Sequence, residues 1–262
     1  MLGQEKLLNK IDNLTLDSLP HSIILLGDIG SGKNMICDYM SKKFNLTLLD
    51  ITNNLNQEYL DELMLRVEPY LYKIEASDVS IKDENTILKF IEEPLKNSYI
   101  VICCDNKAQL IQTVLNRCQI WQLEKYSREQ LKTLSNNNLI LDIAKTPGQV
   151  IKLNNIDINS IMELANKIFD MMDAASYPNA LSLAEKIAFK DEQDKYDFNV
   201  FIDVLVYVCS KKIMQEIDNE KLKKLLFQYN LTNTLSNSRY IPHINKRQLF
   251  ENYILRMKGV TC

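Results

Sequence analysis

In the first half of the chain, short apolar runs of strand length alternate with stretches whose apolar residues recur at helical spacing. The runs that fit strands lie at residues 23–27, 46–50, 70–74, 99–104 and 119–123. Helical patterns lie between them, at about 33–43, 57–66 and 83–93. Strands that alternate with helices are typical of a parallel sheet covered on both faces, and such sheets bind ligands at the carboxyl ends of their strands. The pattern therefore predicts an α/β domain with a parallel sheet.

The pattern changes after about residue 124. Residues 125–155 form short, polar stretches, and from about residue 158 helical periodicity continues to the end. One apolar stripe in the last helical pattern is made by Leu249, Phe250, Tyr253, Ile254 and Met257. We therefore predict three parts, which span residues 1–124, 125–157 and 158–262.

Composition fits a globular protein, since the 262 residues are 46% apolar and 25% charged. This length favours two domains or three small ones. No run approaches the ~18 apolar residues of a membrane span, and the start of the chain lacks the apolar core of a secretion signal. We therefore expect a cytoplasmic protein without membrane contact. The net charge of -3 restricts any nucleic-acid contact to a local patch.

The six cysteines do not predict a metal site, because none of them forms a C-x-x-C pair. We therefore expect no zinc. Cys103 and Cys104 close the apolar run at 99–104, and we interpret them as small buried core residues. A disulfide framework is not expected in an intracellular protein of this class.

Residues 27–34 read Gly-Asp-Ile-Gly-Ser-Gly-Lys-Asn, which matches the phosphate-binding pattern Gly-x-x-x-x-Gly-Lys-Ser/Thr except at its last position. Glycine amides in such a loop surround phosphate oxygens, and the lysine reaches the outer phosphates. The residues that the pattern assigns to binding ATP or ADP are Gly27, Gly30, Ser31, Gly32, Lys33 and Asn34. Asn34 stands where a hydroxyl group normally binds Mg²⁺. The loop therefore predicts a nucleotide site whose magnesium side is lost.

A second acidic motif usually follows another strand of such proteins, where an aspartate holds Mg²⁺ and a following glutamate polarises the attacking water. Glu75 is the candidate polarising carboxylate, whereas Ile74 stands where the aspartate is expected. Asp78 fits a turn or a helix cap better than a metal ligand. Losses at both Asn34 and Ile74 indicate that hydrolysis has been given up, with Glu75 as a vestige of the motif.

Several blocks, in order along the chain, carry a resemblance to a known family. They are Gly3-Gln4-Glu5, the stretch 85–94 that reads Asn-Thr-Ile-Leu-Lys-Phe-Ile-Glu-Glu-Pro, and Asn116-Arg117-Cys118. The second block is similar to the family's Asn-Ala-Leu-Leu-Lys-x-Leu-Glu-Glu-Pro, and the third to its Ser-Arg-Cys. On these motifs the chain resembles the clamp-loader AAA+ family, and within it the delta-prime subunits of bacterial DNA polymerase III.

The resemblance implies an α/β AAA+ P-loop domain with a parallel sheet in residues 1–124, a small helical lid in 125–157, and an all-α C-terminal collar domain for oligomerisation in 158–262. It also implies that Arg117 is an arginine finger that acts in trans, on ATP held by a neighbouring subunit. The implied partners are the delta and gamma/tau clamp-loader subunits, the sliding clamp and, through the complex, primer–template DNA. The chain would then help to load the clamp in DNA replication.

Departures from the family pattern leave alternatives open. Asn116 replaces the serine beside Arg117, and Cys104 replaces a sensor threonine, which removes a strong hydrogen-bond donor. The four-cysteine zinc module of many delta-prime relatives is absent from the sequence. We favour a non-hydrolysing clamp-loader subunit. The alternative is a working AAA+ ATPase, such as a gamma/tau-like motor subunit, which Lys33 and Glu75 favour. A third is an AAA+ adaptor unrelated to replication.

Overall fold

The computed structural model describes residues 3–64, 68–92, 98–174, 197–241 and 244–257. The chain packs as two compact units. The first consists of Met1–Leu134 with Lys145–Gln149, and the second of Ser135–Ala144 with Val150–Cys262. The division into three parts stays a prediction. The predicted helix ends at 65–66 and 93, and the Pro94 of the motif stretch, lie outside the described residues.

The first unit contains one sheet of five parallel strands in the order β2-β3-β4-β1-β5. The strands are β1 (Ser22–Leu26), β2 (Thr47–Asp50), β3 (Tyr70–Glu75), β4 (Ser98–Cys104) and β5 (Gln119–Gln122). Every residue of β1 and of β4 is buried, as expected for the interior strands of a covered sheet. The predicted parallel sheet is confirmed, and each strand lies within one residue of its predicted ends.

Helices cover both faces of this sheet. The helices of this unit are α1 (Glu5–Asp12), α2 (Lys33–Phe44), α3 (Gln57–Met64), α4 (Ile81–Glu92), α5 (Gln112–Leu115) and α6 (Arg128–Lys132). Side chains alternate across a strand, so Ile23 and Leu25 of β1 pack with α1 and α2, whereas Ile24 and Leu26 pack with α3 and α4. Cys103 and Cys104 are buried on opposite faces, which confirms their interpretation as core residues.

In the rest of the chain, the regular secondary structure of the described residues is all helical. The helices are α7 (Asn138–Ile143), α8 (Pro147–Asn154), α9 (Ile158–Ala174), α10 (Phe198–Gln215), α11 (Asn219–Ser238) and α12 (Lys246–Met257). Of the predicted stripe on α12, Phe250, Tyr253, Ile254 and Met257 are buried and Leu249 is half-buried. None of the helices in the described ranges is long and apolar enough to cross a membrane.

Candidate functional site

The glycine loop connects β1 to α2 at the carboxyl edge of the sheet, where β1 lies between β4 and β5. Gly30 and Gly32 have φ angles of 78° and 94°, in the left-handed region that side chains disfavour. A Cβ atom on Gly27 would lie 2.8 Å from the Cβ of Leu123 and would not fit. Three positions of the loop thus require glycine for reasons of backbone geometry and space.

Five successive carbonyl groups of this loop, from Gly27 to Ser31, accept hydrogen bonds. The donors are Lys33 Nζ to Gly27 (2.7 Å), Ser31 N to Asp28 (3.0 Å), Thr146 Oγ1 to Ile29 (2.7 Å), Gly148 N to Gly30 (3.0 Å) and the Tyr126 hydroxyl to Ser31 (2.7 Å). The first amides of α2 have no acceptor within their own helix. The loop is therefore fixed through its carbonyls, and the helix terminus supplies the amides that suit an anion.

The segment Lys145–Gln149 packs against the tip of the loop. A Cβ atom on Gly148 would lie 2.6 Å from the Cα of Gly30, so two backbones meet here without room for a methyl group. The sequence interpretation missed Thr146, Gly148 and Tyr126 as neighbours of the loop. The Pro147-Gly148 dipeptide begins α8, and nothing in the sequence showed what it would contact.

Lys33 lies inside the loop and is almost buried. Its ammonium group donates to the carbonyls of Gly27 (2.7 Å) and Asp28 (3.3 Å) and to Asp105 Oδ1 (2.6 Å). An ammonium group has three N–H bonds, and each of them has an acceptor here. Asp105, which directly follows β4, was not among the predicted site residues. The only signal for it was its position at the carboxyl end of a strand.

The side chains at the predicted magnesium and sensor positions have no hydroxyl group. Asn34 is exposed, and its Oδ1 accepts a long contact of 3.9 Å from the Cys103 thiol. Cys104, at the predicted sensor position, donates to the Asn106 carbonyl at 3.0 Å. Burial raises the pKa of Cys104 to about 12, so its thiol stays protonated at neutral pH. Neither strand-end cysteine can replace a threonine as a strong donor.

Glu75 lies at the carboxyl edge of β3, but a lysine holds its carboxylate. Lys73 Nζ lies 2.8 Å from Glu75 Oε1 and 3.0 Å from Asp50 Oδ2. Burial lowers the pKa of Lys73, but hydrogen bonds to Glu75 and Asp50 more than offset this and raise it overall. Ile74 points into the core with no exposed surface. Glu75 therefore lies at the carboxyl end of β3, which β4 separates from β1, and its carboxylate is paired with Lys73.

A small cleft opens between the loop and the residues that follow β5. Its volume is ≈ 50 Å³, and its walls include Gly27 and Ser31 of the loop together with Gln122, Tyr126 and Thr146. Pockets that hold drug-sized ligands measure about 300–1,000 Å³. A whole nucleotide therefore requires this cleft to widen.

The Gly3-Gln4 block has a structural role at the same edge. The buried side chain of Gln4 accepts from the amide of Glu124 at 2.9 Å and donates to its carbonyl at 3.0 Å. Gly3 has a φ angle of 68° and lies against Tyr126, which in turn donates to the loop. The start of the chain thereby supports the residues that hold the loop.

Arg117 lies at the opposite edge of the sheet. In the parallel pairing of β1 with β5, Ile23 is opposite Gln119, so Arg117 precedes the amino ends of these strands whereas Gly27 follows the carboxyl end of β1. Strands rise about 3.3 Å per residue, so β1 alone separates the two by roughly 15 Å. The structure brings the predicted loop residues together but does not bring Arg117 to them.

The guanidinium group of Arg117 is held loosely at the surface. Its Nε lies 2.6 Å from Glu92 Oε1, at the end of α4, and its Nη1 donates to the Thr113 carbonyl at 3.1 Å. The side chain of Arg117 is 42% exposed and that of Glu92 is 49% exposed. Solvent-exposed pairs of this kind contribute little stability, so the arginine can change partner at low cost.

Comparison with known proteins finds sequence similarity in the part of the chain that contains Glu75 and Arg117. A sequence profile described as "DNA polymerase III, delta subunit" matches residues 72–127, which include Glu75 and Arg117 and begin after the glycine loop. DNA polymerase III subunit delta′ of Haemophilus influenzae is 35% identical over 72 residues, which make up 25% of this chain and 22% of that relative. The profile match therefore lies in the second half of the sheet-containing unit.

The whole chain is also similar to solved structures. A DNA polymerase III gamma subunit-related protein of Thermotoga maritima superposes with a TM-score of 0.51 at 10% identity, over 98% of this chain and 99% of the other. The RuvB Holliday junction branch migration motor of Thermotoga maritima gives a TM-score of 0.48 at 17% identity, over 97% and 88%. The chain has an AAA+ fold. At this level of identity the gamma-related structure supports the expected architecture, a P-loop α/β part followed by helical parts.

Proposed function

We propose that this chain is a delta-prime-like clamp-loader subunit of bacterial DNA polymerase III, which does not hydrolyse ATP itself and helps to load a sliding clamp onto primed DNA. The observation that carries the proposal is the position of Arg117, at the sheet edge opposite its own loop. An arginine there is out of reach of a phosphate held by that loop. It is available to ATP bound by a neighbouring subunit, where an arginine finger raises the rate of phosphoryl transfer about 10³–10⁵-fold.

The comparisons support the family part of this proposal. The stretch that resembles the delta subunit family, residues 72–127, is the stretch that carries Arg117 and its partner Glu92. The delta′ relative supports the more specific assignment over 72 residues only. The proposed partners are accordingly the delta and gamma/tau subunits, the sliding clamp and, through the assembled complex, primer–template DNA.

Three features of the loop's own surroundings support the absence of hydrolysis. Asn34 has no hydroxyl to offer Mg²⁺, and the fully buried Ile74 has no ligand atom at all. Glu75 is paired with Lys73 at 2.8 Å, so its carboxylate is occupied by an ammonium group instead of being free to polarise a water molecule. The residues that would bind phosphate are thus retained, whereas those that would hold Mg²⁺ or polarise a water molecule are lost or paired.

The residues present fit a bound nucleotide better than a bound metal. The amino end of α2, the side chain of Lys33 and the glycine backbone of the loop would hold the phosphates of ATP or ADP. Asn34 and Ile74 offer neither the hydroxyl group nor the carboxylate that would hold Mg²⁺. We therefore propose that the loop holds nucleotide as a structural ligand, without a strong magnesium site.

Magnesium-dependent ATP turnover by the pure, isolated chain separates this proposal from its main competitor. That competitor is a working AAA+ ATPase, which the retained Lys33 and the well-fixed loop favour. We expect no turnover above the level of a Lys33→Ala variant. Turnover that disappears in Lys33→Ala would show that the chain is itself an ATPase.

The trans role of Arg117 is tested in a complex reconstituted with gamma/tau and delta subunits. Arg117→Ala should leave this chain folded and assembled while DNA-stimulated ATPase activity of the complex falls, because the one ATP site that this arginine contacts should slow by about 10³–10⁵-fold while the other sites keep their own fingers. Arg247→Ala is a matched control, because Arg247 is also exposed and also paired with a glutamate, Glu251. Equal activity of the Arg117→Ala complex and the control would show that the assignment is wrong.

A further inference from the structure

The Lys33–Asp105 pair is built into the fold. Asp105 follows the buried strand β4, and its backbone amide donates to the side chain of Gln109 at 2.8 Å. The same Gln109 oxygen also accepts from the amide of Asn106 at 3.2 Å, and Gln109 is 6% exposed. The buried side chain of Gln109 thus fixes the turn that carries Asp105, and this turn positions the carboxylate beside Lys33.

All three hydrogen bonds of the Lys33 ammonium group end within the chain, and one of them carries a full opposite charge. The Nζ–Oδ1 distance is 2.6 Å, and the two side chains are only 9% and 16% exposed. Charge-assisted hydrogen bonds in such surroundings are stronger than neutral ones. A phosphate that enters the loop must therefore compete with Asp105 for Lys33.

We propose that Asp105 is an affinity-determining residue of the glycine loop, which competes with the phosphates of a nucleotide for Lys33. The inference rests on the proposed binding of nucleotide by this loop. In the competing state the carboxylate neutralises the lysine, so an incoming polyphosphate meets a pair with no net charge instead of a free cation. When the phosphate binds, the Lys33–Asp105 contact breaks and the carboxylate must turn away from the new negative charge.

This competition determines how tightly the loop should bind nucleotide. Separating the buried pair requires energy and should lower the affinity for nucleotide, although the loop's glycines and carbonyl contacts are in place. Removal of one negative charge should then increase affinity, which is the opposite of what loss of a binding residue does.

The test is the affinity of the full chain for ADP and for inorganic pyrophosphate, measured by titration calorimetry without Mg²⁺. Asp105→Asn keeps the shape of the side chain and should bind both probes at least about tenfold more tightly than the wild type, because one charge-assisted hydrogen bond no longer has to be broken. Asp105→Glu keeps the charge and should stay within about threefold of the wild type. Asp50→Asn is the matched control, since Asp50 is a carboxylate of the same sheet edge that is paired with Lys73 instead.

The outcomes distinguish this inference from the proposed function. Equal affinities for the wild type and a folded Asp105→Asn variant overturn the role of Asp105, and so does an absence of binding in both. Absence of binding in both would also contradict the proposed binding of nucleotide by the loop, whereas neither result touches the trans role of Arg117 or the absence of turnover. Tighter binding in Asp50→Asn as well would show a general effect of charge, and would also overturn the specific competition. ATP turnover by Asp105→Asn would leave the competition standing and contradict the proposed loss of hydrolysis.

Discussion

The two edges of the sheet hold their charged side chains in opposite ways. At the carboxyl edge the side chains of Lys33 and Asp105 are 9% and 16% exposed, whereas at the amino edge those of Arg117 and Glu92 are 42% and 49% exposed. The contact distance is 2.6 Å in both pairs. The difference between the edges is therefore a difference in solvent access and not in contact geometry.

Solvent access decides what each pair can do. Breaking a buried pair by removing one partner costs about 3–5 kcal/mol, because an uncompensated charge stays behind, whereas an exposed pair contributes about 0–1 kcal/mol. Lys33 should therefore stay paired with Asp105 until a strong ligand displaces the carboxylate. Arg117 can leave Glu92 for a phosphate of another molecule at little cost, as the proposed trans role requires.

The largest expected effect is the difference in stability between a variant without Lys33 and a variant without Arg117. Lys33→Ala should lower the free energy of unfolding by about 3 kcal/mol, because Asp105 remains nearly buried without its partner. Arg117→Ala should lower it by less than about 1 kcal/mol. Urea denaturation followed by circular dichroism gives both values.

The control for this contrast is the double variant Lys33→Ala/Asp105→Asn. It should recover much of the stability lost in Lys33→Ala, since no charge is then left unpaired. Equal destabilisation by Lys33→Ala and Arg117→Ala, or additive effects in the double variant, would contradict the contrast between the two edges.

A second prediction concerns the close backbone contact that holds the loop. Gly148→Ala places a methyl group 2.6 Å from the Cα of Gly30, so the two segments must separate, at a cost of about 1–3 kcal/mol. Ile151→Ala, at an exposed position of the same helix, should change stability by less than about 0.5 kcal/mol. Thermal unfolding of the two variants measures the difference, and a Gly148→Ala protein as stable as the control would show that the two backbones can separate freely.

A third prediction compares two tyrosine hydroxyls that donate to backbone carbonyls. Tyr126 donates to Ser31 in the loop at 2.7 Å, and Tyr99 donates to Leu16 near the amino edge at 2.9 Å. Tyr126→Phe and Tyr99→Phe should each cost about 1 kcal/mol. Hydrogen exchange of amides 28–34 should become faster in Tyr126→Phe alone, because only that hydroxyl of the two contacts the loop. Unchanged exchange in Tyr126→Phe would count against the carbonyl contacts as the source of loop order.

The sequence predicted the strands and the glycine loop because both depend on local signals. Apolar runs define β1 to β5, and the spacing of Gly27, Gly30, Gly32 and Lys33 defines the loop. It did not predict Asp105, Tyr126 or Thr146 as loop neighbours. These residues lie 72 to 117 positions from the loop atoms that they contact, and only the tertiary packing of the unit brings them there. The motif indicated Arg117, but the strand register was needed to show that it lies at the edge away from its own loop.

The smallest expected effect is the pH dependence of the stability that Asp50, at the carboxyl edge, contributes. Burial raises the pKa of Asp50, but hydrogen bonds from Thr52 and Lys73 outweigh it and lower the pKa overall. A depressed carboxyl pKa stabilises the folded state above the unfolded value of about 3.9, and this stabilisation is lost as pH falls through the folded value. Asp50→Asn should therefore be less stable than the wild type at pH 7, by under about 1 kcal/mol because Asp50 is half exposed. Denaturation from pH 7 to pH 3 should show the gap closing below about pH 4, and a gap that widens in acid would contradict the stabilising role of the charged form.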